Sequence, residues 1–251
     1  MSTHSTDPLR VATWSGPRNI STAMMRAFEN RTDCSVSDEP LYGAWLKLTG
    51  EDHPMRDEII DAMETDWRKV TESLIGQAPD SRPVWYQKHM THHLLPEMMQ
   101  RGWLSRLVHV FLIRDPAPVV ASYLGMRDRV SPEDIGVPQQ WDLYRFVTEE
   151  LDQDPPVIDS ADFLGDPEGH LRELCARLEI AFMPEMLVWP AGRRPSDGPW
   201  GSHWYHNVRQ STGFEPPSAT APELTGEALE VAEACRPIYE KLYERCLRVG
   251  T

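Results

Sequence analysis

The chain has 251 residues, of which 40% are hydrophobic, so it can bury the core of a folded α/β domain and is not a disordered chain. Its 39 acidic and 25 basic residues give a net charge of −14, which argues against non-specific binding to nucleic acid or to an anionic membrane. We find no apolar run near the ~20 residues of a membrane-spanning helix and no signal peptide. Four cysteines without C-x-x-C spacing predict reduced thiols in a cytoplasmic protein.

The stretch 10–28 predicts a strand, a tight turn and a helix. Residues 11–14 favour a strand, Ser15-Gly16-Pro17 favours a turn, and apolar residues then recur with helical spacing from Ile20. Such a turn aims unpaired backbone N–H groups and the positive end of a helix at one point, which attracts phosphate or sulfate. The candidate residues of this oxyanion cradle are Gly16, Pro17, Arg18, Asn19, Ile20, Ser21 and Thr22.

The cradle does not match the P-loop that binds ATP or GTP. That motif needs Gly, Lys and Ser or Thr at positions 21–23, where this chain has Ser, Thr and Ala. The stretch instead resembles the 5′-phosphosulfate loop of sulfotransferases, whose bacterial forms read roughly Pro-Arg-Ser-Gly-Ser-Thr. Asn19 and Ile20 depart from that pattern. Isoleucine rarely adopts positive φ, so a working loop must close normally around Ile20.

The strongest predicted strand, 107–113, leads into Arg114-Asp115-Pro116. Its continuous apolar run is typical of a central parallel strand that is covered on both faces. Sulfotransferases bind the 3′-phosphate of their sulfuryl donor with an Arg that ends this strand and a Ser eight residues later. Arg114 and Ser122 stand at that separation, and the resemblance implies the same role for them. The alternative for Arg114 is a structural pair with a carboxylate.

Two further segments supply candidates for the chemistry. Glu39 follows the predicted strand 34–37 and resembles the Glu that takes the acceptor's proton in several sulfotransferases; the alternative is a carboxylate at a helix N-terminus. Lys88 and His89 end the predicted strand 84–89 and resemble a Lys-Thr-His segment that contains a general base. His89 is therefore a second candidate base, and Lys88 a candidate for assisting at the transferred group. His89, His92 and His93 have no acidic or Cys neighbour in sequence, so we expect no metal site.

The remaining segments predict helices and a cover over the site. Residues 57–75, 141–151 and 223–247 have helical periodicity, the last interrupted by Pro237, and 156–160 predicts a short strand. Residues 183–222 are rich in Pro, Gly and Trp, which predicts an ordered lid or cofactor loop. Arg209 and Ser211 in this loop are candidates for holding the 3′-phosphate, by a loose resemblance to sulfotransferases.

Over most of its length the sequence resembles sulfotransferases that use 3′-phosphoadenosine 5′-phosphosulfate (PAPS). The resemblance implies one α/β domain over 1–251, a P-loop NTPase-like three-layer sandwich with a central, mainly parallel sheet. It also implies metal-free transfer of a sulfuryl group from PAPS to a hydroxyl or amine of a small-molecule acceptor, leaving 3′-phosphoadenosine 5′-phosphate (PAP). A small-molecule kinase that uses ATP and a non-catalytic nucleotide-binding scaffold stay open as alternatives. So do the acceptor, the choice of base and assembly into a homo-oligomer.

Overall fold

Five parallel strands form one sheet, and the sheet positions everything else. The computed structural model describes residues 7–216 and 223–250. The strands are β1 (Leu9–Ser15), β2 (Cys34–Asp38), β3 (Val84–Met90), β4 (Val108–Ile113) and β5 (Val157–Asp159). They lie in the order β2-β3-β1-β4-β5. The predicted parallel sheet is confirmed, and all five predicted strands are present.

Helices connect successive strands, as parallel pairing requires. They are α1 (Ser21–Glu29), α2 (Tyr42–Thr49), α3 (Arg56–Ala62), α4 (Trp67–Leu74), α5 (Arg101–Leu104), α6 (Pro116–Leu124), α7 (Val137–Arg145), α8 (Ser160–Gly165), α9 (Pro167–Arg177), α10 (Gly201–Trp204), α11 (His206–Gln210) and α12 (Glu227–Tyr243). A π-helical turn, Phe146–Glu150, extends α7, so the helix predicted at 141–151 begins four residues earlier. No helix in the described ranges is both long and apolar enough to cross a bilayer.

The sheet is buried on both faces. Successive residues of β1 alternate between two cores: Val11 packs with Phe28 of α1 and Leu171 of α9, whereas Trp14 packs in a second core. That second core includes Leu143 of α7 and residues of α4 and α12. The predicted three-layer sandwich is therefore confirmed.

The single helix predicted over 57–75 is wrong, because the chain breaks into α3 and α4. The Glu64 carboxylate accepts hydrogen bonds from the backbone N–H groups of Thr65 and Asp66, both at 2.9 Å. Asp66 then caps α4 by accepting from the N–H of Arg68 at 3.0 Å. The apolar residues continue at helical spacing in sequence across the break, from Ile59 and Met63 to Trp67, so periodicity alone did not reveal it.

The segment predicted as a loop over 183–222 contains α10 and α11, and its residues 217–222 lie outside the described part of the chain. A buried ion pair between Arg26 of α1 and Asp197 fastens it to the rest of the domain. The backbone N–H of Gly198 also donates to Asp38 at the end of β2, at 3.3 Å. The terminal helix α12 is shorter than the predicted 223–247 and includes Pro237.

Candidate active site

The candidate site lies at the carboxyl edge of the sheet, between β1 and β4. The chain leaves β1 towards the β3 and β2 side and leaves β4 towards β5, so these two strands form the topological switch point where α/β proteins bind ligands. A cavity of about 950 Å³ opens there. Its lining includes residues 17–23 after β1, Arg114 after β4, and Glu39 and Lys88 from the ends of β2 and β3.

The loop after β1 closes without requiring positive φ at Ile20. Ile20 has φ −83° and ψ 14°, and Arg18 instead takes the left-handed conformation with φ 57°. The Asn19 side chain secures the turn: its Oδ1 accepts from the N–H of Ile20 at 2.8 Å, and its Nδ2 donates to the Leu112 carbonyl at 3.1 Å. Among the described residues, no side chain caps the first turn of α1. The N–H groups of this turn lie at the cavity wall and are therefore available to an anion.

Six of the seven cradle candidates line this cavity, and Gly16 is the exception. A Cβ atom at Gly16 would lie 2.3 Å from the Ile135 carbonyl oxygen, far inside contact distance. Gly16 therefore allows the turn after β1 to pack against the loop before α7, and its place in the cradle is indirect.

Arg18, Arg114 and Ser122 form one polar cluster in the cavity. Arg18 Nε donates to Ser122 Oγ at 2.8 Å, and Arg114 donates to the Arg18 backbone carbonyl at 2.5 Å. Burial lowers the pKa of both guanidinium groups, and for Arg114 the neighbouring Arg18 charge adds to this effect. Within the described residues, neither has a carboxylate oxygen within 4.0 Å. The more distant Asp159 and Asp115 carboxylates act on Arg114, but neither guanidinium is in direct contact with a carboxylate of the described residues, so the pair can bind an anion.

The carboxylate next to Arg114 in sequence is occupied elsewhere. Asp115 caps α6 by accepting from the N–H of Ala117 at 2.9 Å, and Pro116 starts the helix. The Asp115 carboxylate also pairs with Arg236 of α12 at 3.2 Å. The geometry therefore does not support the structural-pair alternative for Arg114, and Arg236 is a cavity residue that the sequence did not reveal.

Glu39 belongs to a buried cluster of four side chains. Lys88 Nζ lies 2.6 Å from Glu39 Oε1, 2.8 Å from Asp38 Oδ1 and 2.7 Å from the Tyr205 hydroxyl. The Tyr205 hydroxyl donates in turn to Asp38 and accepts from Trp200 Nε1 at 3.0 Å. Two carboxylates and one ammonium give this cluster a net charge of −1, which a proton on Glu39 would neutralise.

Burial raises the pKa of Glu39, and the neighbouring Asp38 charge adds to the rise, while Lys88 opposes it. Burial alone would lower the pKa of Lys88, but Asp38 and Glu39 outweigh it and hold that pKa well above the usual value. Glu39 also has φ 43°, a conformation that costs a non-glycine residue energy. A carboxylate with a raised pKa, held at a cavity wall, is suited to accept a proton.

The cluster changes the interpretation of Lys88. An ammonium group has three N–H donors, and Asp38, Glu39 and Tyr205 take all three. Lys88 lines the cavity, but its geometry does not support direct assistance to a transferred group. Its contacts instead place and tune Glu39.

The structure does not bring His89 to the cavity. Because side chains alternate along a strand, His89 lies on the opposite face of β3 from Lys88. Its ring stacks on Trp14 at 4.2 Å and its Nε2 lies 3.3 Å from Gln87 Oε1, both inside the core. Burial lowers the pKa of His89 to about 3. The geometry does not support His89 as the base and leaves Glu39.

The two candidates in the C-terminal loop also separate. The Arg209 guanidinium points at Asp197, 3.5 Å away, and Arg209 does not line the cavity. Ser211 lines the cavity, accepting from Trp189 Nε1 at 3.1 Å and donating to the Val208 carbonyl at 2.9 Å. The loop also lines the cavity with several other residues, among them Tyr205, for which the sequence offered no signal beyond the aromatic composition of the segment.

The structure adds a group of rings beside Glu39 that the sequence did not assign. They come from α2, the turn after it, the turn after β3, and α10, and they are Tyr42, His53, His92, His93 and Trp204. We call this group the acceptor chamber. Across the described ranges, no three His, Cys, Asp or Glu side chains are placed to hold a metal ion.

The parallel sheet, with an anion site after its central strand, has a P-loop NTPase-like fold. The sequence comparisons identify the family within this fold class. The family model for the sulfotransferase domain matches residues 9–246. The chain belongs to this sulfotransferase-domain family, and membership supports an enzyme that transfers a sulfuryl group.

Solved structures with a similar fold include two sulfotransferases. One is the sulfotransferase from Alicyclobacillus acidocaldarius, with a TM-score of 0.57 and 12% identity, covering 96% of this chain and 98% of that one. The other is the sulfotransferase domain from the curacin biosynthetic pathway, with a TM-score of 0.53 and 16% identity, covering 94% and 98%. At these identities the similarity concerns the fold alone.

A curated relative is closer in sequence. "Branched-chain-amino-acid aminotransferase-like protein 2" of Arabidopsis thaliana is 35% identical over 243 residues, which is 94% of this chain but 41% of the relative. The chain therefore spans less than half of that relative's length, and the relative's name describes a much longer protein.

Proposed function

We propose that this protein transfers a sulfuryl group from PAPS to a hydroxyl or amine of a small molecule, and that Glu39 accepts the proton. The observation that supports this most is the pair of guanidinium groups, Arg18 and Arg114, without carboxylate partners among the described residues. They lie at the ends of two adjacent strands beside the uncapped start of α1. Two guanidinium groups joined in one polar cluster suit a donor that carries more than one phosphate group.

The residues present fit such a donor. Residues 17–22, with the N–H groups of α1, would hold its 5′ end, and Arg114 and Ser122 would hold its 3′-phosphate. When bound, PAPS supplies an activated sulfuryl group whose leaving oxygen becomes the 5′-phosphate of PAP. Arg18 is placed to stabilise negative charge that develops on that oxygen. Ser211 lines the same cavity and is a further contact in this proposal.

On the acceptor side, Glu39 removes the proton as the acceptor oxygen or nitrogen bonds to sulfur. Burial raises the pKa of Glu39, and the Asp38 charge adds to the rise, so Glu39 is a better base than an exposed glutamate. Lys88, Asp38 and Tyr205 hold the carboxylate in place. The segment with α10 and α11 acts as the cover, because Tyr205 joins it to this cluster.

The four cysteines at positions 34, 175, 235 and 246 are buried and free, the state expected under reducing conditions. This supports our proposal that the protein acts in the cytoplasm. The protein has a net charge of −14, which repels an anionic donor. Binding of the donor should therefore depend on the local positive charges of Arg18 and Arg114.

Calorimetry with PAP, ATP and AMP tests the donor assignment. We expect PAP to bind at least about tenfold more tightly than AMP or ATP, because only PAP has a 3′-phosphate that can pair with Arg114. Arg114→Met should remove that preference. Arg172→Met changes an exposed Arg paired with Glu168 and serves as the matched control. Equal affinity for all three nucleotides would refute PAPS as the donor, and preferred binding of ATP with Mg²⁺ would favour the kinase alternative.

A further inference from the structure

We propose that the acceptor carries an anionic group of carboxylate type, which Arg127 binds at the wall of the same cavity that Glu39 lines. The inference rests on the proposed function and specifies the substrate class of the same site. It follows from three features of the chamber: uncharged ring walls and, counting only the residues that the structure describes, buried ring nitrogens without hydrogen-bond partners and one guanidinium without a carboxylate partner.

The rings of the chamber pack against one another as a continuous wall. Tyr42 stacks on His93 with ring centroids 4.3 Å apart, and His92 meets His93 edge to face at 4.3 Å. His53 lies 5.5 Å from Trp204, which closes the wall from the covering segment. Such a wall accepts a compact, flat molecule next to Glu39.

The wall is uncharged at neutral pH. Burial lowers the pKa of His53 to about 3 and that of His92 to about 4, and it also lowers the pKa of His93 well below its ordinary value. The Nδ1 atoms of His92 and His93 are buried and have no hydrogen-bond partner among the described residues. Buried polar atoms are normally paired, so these two are available to polar groups of a bound acceptor.

Arg127 places a guanidinium at the chamber that forms no ion pair with the described residues. It lines both this cavity and an adjoining one of about 640 Å³, and His53 and His92 line both as well. One of its terminal nitrogens donates to the Asp52 carbonyl at 3.2 Å. Its Nε is buried without a partner, and no carboxylate oxygen of the described chain lies within 4.0 Å of its guanidinium.

The charge of Arg127 acts inside the chamber. Burial is the main cause of the lowered pKa of His53, and Arg127 is the next cause. Carboxylates do line the outer cavity, namely those of Glu51, Asp128, Glu133 and Asp134. They are exposed, and Asp134 already accepts from the N–H of Ser131 at 2.8 Å. Exposed charges are screened by water and salt more strongly than a half-buried guanidinium, so these four carboxylates only partly offset the charge of Arg127.

A guanidinium without a carboxylate partner among the described residues, at a cavity wall that also contains uncharged rings, favours a planar anion that can accept two hydrogen bonds. The acceptor would thus place its hydroxyl or amine at Glu39 and its carboxylate at Arg127. A neutral acceptor of the same shape would leave the Arg127 Nε without a partner.

Calorimetry in the presence of saturating PAP tests this without turnover. The probes are 4-hydroxybenzoate, 4-hydroxyphenylacetate and 3-(4-hydroxyphenyl)propionate, each compared with its methyl ester. We expect at least one acid to bind about tenfold more tightly than its ester, because only the acid can pair with Arg127. Arg127→Met should abolish that preference, Arg127→Lys should retain part of it, and Arg129→Met at the exposed rim should leave it intact.

Unchanged PAP affinity in each variant shows that the fold and donor site are preserved. Equal binding of acids and esters, a preference that survives in Arg127→Met, or no binding of any acid while PAP binds would each overturn the inference. Failure of PAP to bind the unaltered protein would instead refute the donor assignment, so the two failures are distinguishable.

Discussion

Removing the Lys88 ammonium is the sharpest test of how the structure holds Glu39. In Lys88→Met the side chain keeps its length, but Asp38, Glu39 and Tyr205 each lose a contact of 2.6–2.8 Å. The net charge of the buried cluster changes from −1 to −2 unless Glu39 takes up a proton. Breaking a buried ion pair by removing one partner costs about 3–5 kcal/mol of unfolding free energy. For a chain of this size, that corresponds to a drop in Tm of roughly 6–20 °C.

The effect should depend on pH in a defined direction. The folded-state pKa of Glu39 is already above 4.5, the ordinary value, and the loss of Lys88 raises it further. Between the unfolded and the folded pKa, the native state binds more protons than the unfolded state, so stability rises as pH falls through that window. The variant's deficit should therefore be largest above the folded pKa of Glu39 and smaller at low pH. For the same reason, the acid limb of its kcat/KM profile should move to higher pH.

Thermal and denaturant unfolding between pH 4.5 and 8 measure the stability change. Lys69→Met is the matched control, because Lys69 is exposed and lies 3.6 Å from Glu64 on the surface; its stability should be close to that of the unaltered protein. Asp38→Asn combined with Lys88→Met restores the net charge of −1 and should recover part of the loss. A Lys88→Met protein with unaltered Tm and an unaltered acid limb would refute the proposed role of Lys88 in holding Glu39.

Two further predictions concern the cradle and the base. Gly16→Ala would place a Cβ atom 2.3 Å from the Ile135 carbonyl oxygen and should weaken PAP binding about tenfold by calorimetry, whereas Gly102→Ala, where a Cβ meets nothing within 4 Å, should not. Equal PAP affinity in both variants would contradict the packing role of Gly16. Glu39→Gln should lower kcat at least about 100-fold and leave PAP affinity unchanged, whereas His89→Gln should keep the acid limb of the pH profile. Loss of that limb in His89→Gln would restore His89 as the base.

Local sequence patterns were enough to predict the sheet and to select the residues of the proposed donor site. Each half of the donor site lies within one strand–turn–helix unit, so its residues are close in sequence and their spacing is visible directly. Arg18 follows β1. Arg114 lies just before α6, and Ser122 lies in the last turn of that helix. The apolar runs of β1 and β4 predict buried neighbouring strands, which bring the two units together.

Only the tertiary structure distinguished Lys88 from His89. The alternation along β3 shows that the two side chains face opposite ways, but it does not say which face meets the site. The packing of Trp14 on His89 decided that. The partners of Glu39 were equally hidden, because Tyr205 lies 166 residues away in sequence.

The oxyanion cradle and the acceptor chamber therefore differ in how they are encoded. The cradle is made by backbone N–H groups and side chains of one short segment, so the sequence of residues 16–22 is enough to recognise it, although contacts with Leu112, Arg114 and Ile135 hold its turn in place. The chamber draws its rings and Arg127 from separate elements, and the packing of α2, the turn after β3 and α10 brings them together. Burial also determines the charge state of the histidines in the chamber. Their pKa falls, and their rings stay neutral, because the fold removes them from water.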